Sequence, residues 1–400
     1  MENREAKAPL QDIKVVELGT LIAGPYCARL LAEFGADVVK IETPGEGDPL
    51  RKWRKLHEGN SLWWYAQARN KKSIAVNLRE AEGQAVVRRL AADADFVVEN
   101  FRPGTLEKWN LGYDTLACDN PGLIMVRLSG FGQSGPYKDR PGFGAIGESM
   151  GGMRYITGYP DRAPVRVGIS IGDSLAAMFG VIGALMALHH RGQSGRGQVV
   201  DIALYEAVFA MMESMLPEYG YAGHVRERTG ASLPGIVPSN TYPCADGRYV
   251  VIGANADSIF KRMMRAIGRA DLADDPALAT NDGRVKRTAE LDEAIGAWTA
   301  RNPLDEVLRV LEAAEVPSGR IYSIADIAAD LHYQARGMIE RHRLGDREVV
   351  LPGIVPKLSE TPGETKWIGP RLGEHTDAVL AAAGYGVEEI VALRARGVVS

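Results

Sequence analysis

Short runs of β-branched and apolar residues alternate with amphipathic stretches through the first 130 residues. Ile13-Lys-Val-Val-Glu-Leu18 is a strand-forming run, and Gly19 to Gly24 reads as a loop. Pro25 sits where a first helical turn tolerates a fixed φ and a missing N–H. From Tyr26 to Phe34 apolar positions recur at helical spacing, Gly35 stops that helix, and Val38-Val-Lys-Ile-Glu42 is the next strand. The alternation continues with strands at 73–77, 96–98 and 123–128 and helices at 80–91 and 105–109. Strands alternating with helices predict a parallel sheet covered on both faces, an α/β, Rossmann-like architecture.

Residues 130–158 are glycine-rich and lack a period. Helices are then expected from 174 to about 190 and from 205 to about 217. Four glycines or prolines between Gly230 and Pro238 mark a linker or mobile loop, placed at 221–240. Beyond it a hairpin over 242–252 turns at Asp246-Gly247, a helix over 259–267 is closed by Gly268, and Asn302-Pro303 opens a helix reaching Glu315. The tail from Val349 returns to strand-then-helix pattern. The expected organisation is a large domain from 1–220 and 326–400, with a smaller α+β domain at 241–325 inserted into it. No internal repeat or low-complexity tract interrupts it.

Composition narrows the class. With 47 Lys+Arg against 51 Asp+Glu and 46% hydrophobic residues, 400 residues suffice for a sizeable core, and nothing invites nucleic acid or an anionic membrane. Cys27, Cys118 and Cys244 are isolated thiols without a C-x-x-C pair, which fits a reducing compartment and excludes Cys-only zinc sites. Met1 to Lys7 is charged, with no apolar signal region. The longest apolar stretch, Leu175 to Leu188, is 14 residues long and broken by Gly180 and Gly183, short for a membrane span. The expected location is cytoplasmic.

Gly130-Phe-Gly-Gln-Ser-Gly135 matches G-x-G-x-x-G after a strand, yet Pro136 and Pro141 follow where a dinucleotide fingerprint needs a helix, so it reads as a loop. Glu42, at the end of the second strand, is only weakly placed as a ribose-binding acid. The seven histidines show no metal spacing, no serine sits in a G-x-S-x-G elbow, and no metal is expected. Asp173 stands directly ahead of the most apolar helix. There it can cap the helix, an effect of about 0.5–2 kcal/mol, and it can serve as an ionised nucleophile. Local pattern leaves both roles open.

Leu-Ile-Ala-Gly-Pro25, Lys-Ile-Glu42, Arg-Asn-Lys-Lys-Ser-Ile74, Glu-Asn-Phe-Arg-Pro-Gly104, Ser194-Gly-Arg-Gly-Gln198 and Leu372-Gly-Glu-His-Thr-Asp377, in that order over essentially the whole chain, resemble the class III coenzyme A transferases. The resemblance implies that Asp173 is the nucleophile. It implies that CoA, a substrate rather than a permanently bound cofactor, is contacted by Ile22, Ala23, Val76, Asn77, Leu78, Arg79, Asn100, Phe101, Arg102, Lys108, Arg140 and Phe143. It also implies an interlocked homodimer and CoA transfer from an acyl-CoA, succinyl-CoA first among candidates, to a carboxylic acid, a dicarboxylate by expectation. Departures bear on substrate. Thr43 replaces an arginine of the oxalate enzyme and Ile22 its acyl-site glutamine, and Pro234-Gly-Ile-Val-Pro-Ser239 lies where that enzyme has four glycines. Two rival readings remain. An α-methylacyl-CoA racemase needs a Gly-His-Asp stretch where this chain has Gly142-Phe143-Gly144, so one proton carrier is missing. A non-catalytic CoA-ester-binding protein has no use for Asp173. Hydrolysable intermediates call for water exclusion, and the loop near 230–238 is placed to act as a lid.

Overall fold

The structure, a computed structural model, describes residues 7–400, so the charged leader region lies outside the described residues except for Lys7. Six parallel strands form the main sheet: β1 (Lys14–Glu17), β2 (Asp37–Glu42), β3 (Lys71–Ala75), β4 (Phe96–Glu99), β5 (Ile124–Ser129) and β6 (Val199–Ala203). Their order is β3-β2-β1-β4-β5-β6, the doubly wound arrangement in which successive crossovers run one way from β1 and then the other. The expected strands therefore pair as read, and Val199–Ala203 joins the edge as a sixth strand that the pattern did not announce. Every residue of β4 and β5 is buried, so apart from Ser129 and the paired Glu99 and Arg127 these strands are apolar on both faces instead of alternating.

Helices cover both faces. On one, α2 (Ala81–Ala91) packs with the C-terminal helices Thr376–Ala382 and Val387–Ala395 over Val16, Leu18, Ile74, Val97 and Met125. On the other lie α1 (Ala23–Glu33) and α5 (Ile171–Ser194), in contact with each other and with β5. A Cβ on Gly180 would come 3.2 Å from Cys27 Sγ, so the glycine inside α5 lets α1 approach closely. At 24 residues α5 is longer than expected and, by length and composition alone, long and apolar enough to cross a membrane. The helix expected over 205–217 is two helices, Leu204–Phe209 and Met215–Ala222, because the chain leaves helical geometry at Glu213, whose φ is +46°.

The chain divides into two compact units. The first takes the described residues up to Arg154, then Val167–His224 and Ala335–Ser400. The second takes Tyr155–Arg166 and Val225–Gln334. Within the second, Val165 N–H donates to Thr157 O and Gly230 N–H to Gly158 O, which ties the short early segment to the later one. Its three-stranded antiparallel sheet, β9-β8-β7 (Ser318–Arg320, Tyr249–Gly253, Ser239–Pro243), carries the expected turn, with Gly247 at φ +76°. Phe260, Met263, Leu291, Ile295, Val307 and Leu311 pack on that sheet.

Candidate active site

Doubly wound sheets place ligands outside the carboxyl ends of the strands, where the strand order reverses. Here that point lies between β1 and β4, at the Gly19–Gly24 turn. Asn100, just after β4, accepts from Thr20 N–H at 2.8 Å and donates to Thr20 O at 2.9 Å. A Cβ on Gly19 would stand 3.0 Å from Gly24 Cα and 3.1 Å from Asn100 Oδ1, so the turn closes only with glycine there.

Beside the turn is a cleft of about 510 Å3, lined by Thr20 and Asp48 together with Val76, Asn77, Leu78, Arg79, Phe101 and Trp109 among others. The structure thus gathers five of the expected CoA contacts, Val76 to Arg79 and Phe101, around one space. Phe101 is fixed edge-on against Trp109, with ring centroids 5.3 Å apart. Asn100 acts from behind by bracing the turn. Ile22 and Ala23 are 7% and 3% exposed at the start of α1. Arg102 and Lys108 are exposed and do not line the cleft. Glu42 lines it, but Arg51 takes both its oxygens at 2.7 and 2.8 Å and Ser73 Oγ donates to one at 2.6 Å, so it is an anchor and not a ribose acceptor.

Asp173 lies in the first turn of α5, whose N-cap is Ser170; the capping role is therefore not Asp173's, since the helix begins two residues before it. Its carboxylate abuts Gly144, the first residue of α4 (Gly144–Met150). A methyl built on Gly144 would reach 2.8 Å from Asp173 Cγ and closer still to Oδ2. Phe143, 69% exposed, precedes that contact, and Arg140 stacks over the Tyr137 ring at 3.7 Å in the preceding loop. The loop from Gly130 to Gly142 is closed by a glycine-on-glycine approach, Gly142 to Gly130 Cα, and no helix follows Gly135. Glu148 went unnoticed in the sequence. It is 2% exposed on α4, held by Arg154 at 3.2 Å, and lies against Gly172 next to Asp173.

Beneath the turn lies a buried ionic cluster, also unannounced. Lys40 Nζ reaches Glu17 at 2.8 Å and Asp48 at 2.9 Å, and Lys71 Nζ reaches Glu17 at 2.7 Å. Burial disfavours the charge on Lys40, but Asp48, Glu17 and Glu42 outweigh it and hold that ammonium above the usual lysine range. Burial prevails at Lys71 and pulls it down to about 8, despite Glu17.

The fold is a doubly wound α/β unit with a cleft at the switch point, and a carboxylate stands in the first turn of α5. A family model for CoA-transferase family III matches residues 10–376, and the chain belongs to that family. It is 52% identical to the succinyl-CoA–D-citramalate CoA-transferase of Chloroflexus aurantiacus, with both chains covered in full. It is 37% identical to the succinate–glutarate CoA-transferase of Agrobacterium fabrum, over 95% of this chain and 96% of that one. A CaiB/BaiF family protein from Brucella suis superposes with a TM-score of 0.83 at 35% identity, over 94% of this chain and all of the other. The chain is an enzyme that moves CoA from an acyl-CoA to a carboxylic acid.

Proposed function

We propose that the chain transfers CoA from succinyl-CoA to a C4–C6 dicarboxylic acid through covalent intermediates on Asp173. The observation that carries the reading is the Asp173 carboxylate, in the first turn of α5, set against a residue without a side chain, Gly144. Relatives named for succinyl-CoA with citramalate, and for succinate with glutarate, support the substrate class.

The chemistry follows from a carboxylate and a thioester. Asp173 attacks the thioester carbonyl, the C–S bond breaks, and an aspartyl-acyl anhydride and CoA thiolate result. The thiolate attacks the aspartyl carbonyl of the anhydride, which releases the donor carboxylate and leaves an aspartyl-CoA thioester. The acceptor carboxylate then attacks that thioester, thiolate leaves again, and its attack on the acceptor carbonyl restores Asp173. No proton changes hands, and one thioester is made for each one broken. Val76–Arg79, Phe101 and Trp109 hold the CoA, with Arg79 facing its phosphates. Ile22 supplies an apolar wall where the oxalate enzyme has glutamine, which favours acceptors with methylene or methyl carbons, at about 0.8 kcal/mol per buried CH2.

Two copies of the chain form the working enzyme, interlocked as the family resemblance implies, in the cytoplasm. Met178, Ile182, Leu185 and Met186 lie along one face of α5 at 40–67% exposure, an apolar stripe that a second copy would cover.

The test uses succinyl-CoA as donor and mass analysis as readout. The parent should carry an acyl or CoA adduct on Asp173, and Asp173→Asn should carry none and lose transfer by several orders of magnitude. Among oxalate, succinate, glutarate and a branched C5 diacid, the C5 acids should give the highest kcat/KM. Full activity in Asp173→Asn refutes the covalent route, and a preference for oxalate refutes the acceptor class. A monomer in light scattering refutes the dimer.

A further inference from the structure

The turn that leads into α1 has almost no backbone support of its own. Gly19 O accepts from Lys40 Nζ at 2.8 Å. Thr20 uses both its N–H and its O on Asn100. Leu21 N–H donates to the Asp48 carboxylate, at 3.1 and 3.2 Å to its two oxygens. Leu21 itself stands at φ +64°, a left-handed conformation that crowds the Cβ of a leucine. Glycine would sit there without strain, and Gly19 and Gly24 flank the position, yet the turn has a leucine held in place by a carboxylate 27 residues further along the chain.

That carboxylate is in turn held by Lys40, 2.9 Å away, and both side chains are nearly sealed, at 1% and 2% exposure. One buried ammonium therefore grips the turn twice: directly at Gly19 O, and through Asp48 at Leu21 N–H. A buried pair of this kind is costly to form and strongly destabilising to break by halves, so its position matters more than its net contribution. Its position is under the two residues, Ile22 and Ala23, that open α1 at the switch point.

We propose that Lys40 and Asp48 are positioning residues of the transfer reaction, a buried clamp that holds Leu21 left-handed and thereby fixes Ile22 and Ala23 against the acyl group. This rests on the reading that Ile22 and Ala23 belong to the acyl site. The clamp supplies pre-organisation, in which small displacements are felt as lost rate and not as lost binding. Asp48 borders the cleft that the proposed CoA contacts Val76–Arg79 and Phe101 also line, but its carboxylate is sealed against Lys40 and Leu21, so a change at Asp48 leaves those contacts in place.

Asp48→Asn is isosteric and keeps an oxygen for the Leu21 amide, but it removes the charge that Lys40 grips. Expected is at least a tenfold fall in kcat, with KM for the acyl-CoA changed less than threefold. In a Leu21→Gly background the same substitution should cost kcat less than threefold, because glycine needs no clamp to adopt φ near +64°. Equal losses in the two backgrounds overturn the proposal, as does a lowered Tm with kcat unchanged. Leu21→Val leaves the ion pair untouched and adds β-branched strain, so it serves if Asp48→Asn does not fold: it should lower kcat and spare KM, and an unchanged kcat overturns the clamp. Hydrogen exchange at the Leu21 amide, followed without substrate, separates this proposal from the site reading. Loss of protection in Asp48→Asn is expected even if no adduct ever forms on Asp173, and unchanged protection refutes the clamp by itself.

Discussion

Gly144→Ala is the sharpest single perturbation of the site, because stability and activity should respond differently. Gly144 opens α4 with no left-handed φ to defend, and alanine is the better helix former by about 1 kcal/mol. The added methyl would lie 2.8 Å from Asp173 Cγ, against a comfortable carbon–carbon separation of about 3.5–4.0 Å. Something must move by about 1 Å, and the cheapest mover is the carboxylate, the end of a short side chain in the first turn of α5. Overpacking of this kind costs about 1–3 kcal/mol when it is buried and rigid, and less when a side-chain end can swing away. With the helix gain set against it, Tm should stay within a few degrees of the parent. A displacement of about 1 Å in a reacting group costs on the order of 100-fold in rate. The assay is steady-state transfer from succinyl-CoA together with the yield of adduct on Asp173, beside Tm. Gly192→Ala is the control, since a Cβ there, in the last turns of α5, meets nothing within 4 Å. A Gly144→Ala enzyme that keeps more than a third of the parent rate would refute the placement of the nucleophile; a collapse of Tm would refute the claim that the carboxylate is what yields.

Two further outcomes are expected. Arg79→Ala should raise KM for the CoA ester about three- to tenfold at low salt, with the gap narrowing as ionic strength rises, whereas Lys108→Ala, exposed and outside the cleft, should change it less than twofold; equal effects would show that the cleft does not select the phosphates. Burial pushes the Cys27 thiol up to about 12, so its thiolate is scarce at pH 8, and the buried Cys244 is also raised by burial; a disulfide reagent should titrate Cys118 alone in the native protein and all three thiols after denaturation, and fast modification of Cys27 would contradict the packing of α1 on α5.

What the sequence made legible is what depends on neighbours along the chain. The β1 to β5 strands announced themselves because parallel strands covered on both faces are built largely from short β-branched and apolar runs, and α1 because Pro25 and Gly35 bracket its apolar face. The decoy at Gly130–Gly135 was readable for the same reason, since the two prolines after it are local facts. Position inside a helix was less secure. Asp173 looked like a cap because it precedes the apolar run, but helical geometry starts earlier, at Ile171, where the glycine and serine around it hide the boundary. Val199–Ala203 escaped because its burial is uneven, as an edge strand's is, with only its last two residues sealed.

The clamp beneath the turn shows where such reading stops, and why. Glu17, Lys40, Asp48 and Lys71 are scattered over four segments, and each is an ordinary charged residue at the surface-like density expected of any soluble chain. Nothing in their spacing distinguishes them from Lys108 or Glu46, which are exposed. They become a unit only when β1, β2 and β3 lie side by side, because the register that sets Glu17 against Lys40 also brings Lys40 against Ser73 and leaves Lys71 two residues earlier on that strand, opposite Val38. Glu17 and Lys40 then face each other from neighbouring strands, and Asp48, in the turn after β2, closes over Lys40. In this sequence the polar residues that interrupt a buried strand are therefore the informative ones: Glu17 within Val-Val-Glu-Leu and Lys40 within Val-Val-Lys-Ile break apolar runs that packing alone would have kept intact. A charge placed at the carboxyl end of a strand that is otherwise sealed on both faces must find a partner, and here the partners it finds are those that shape the turn.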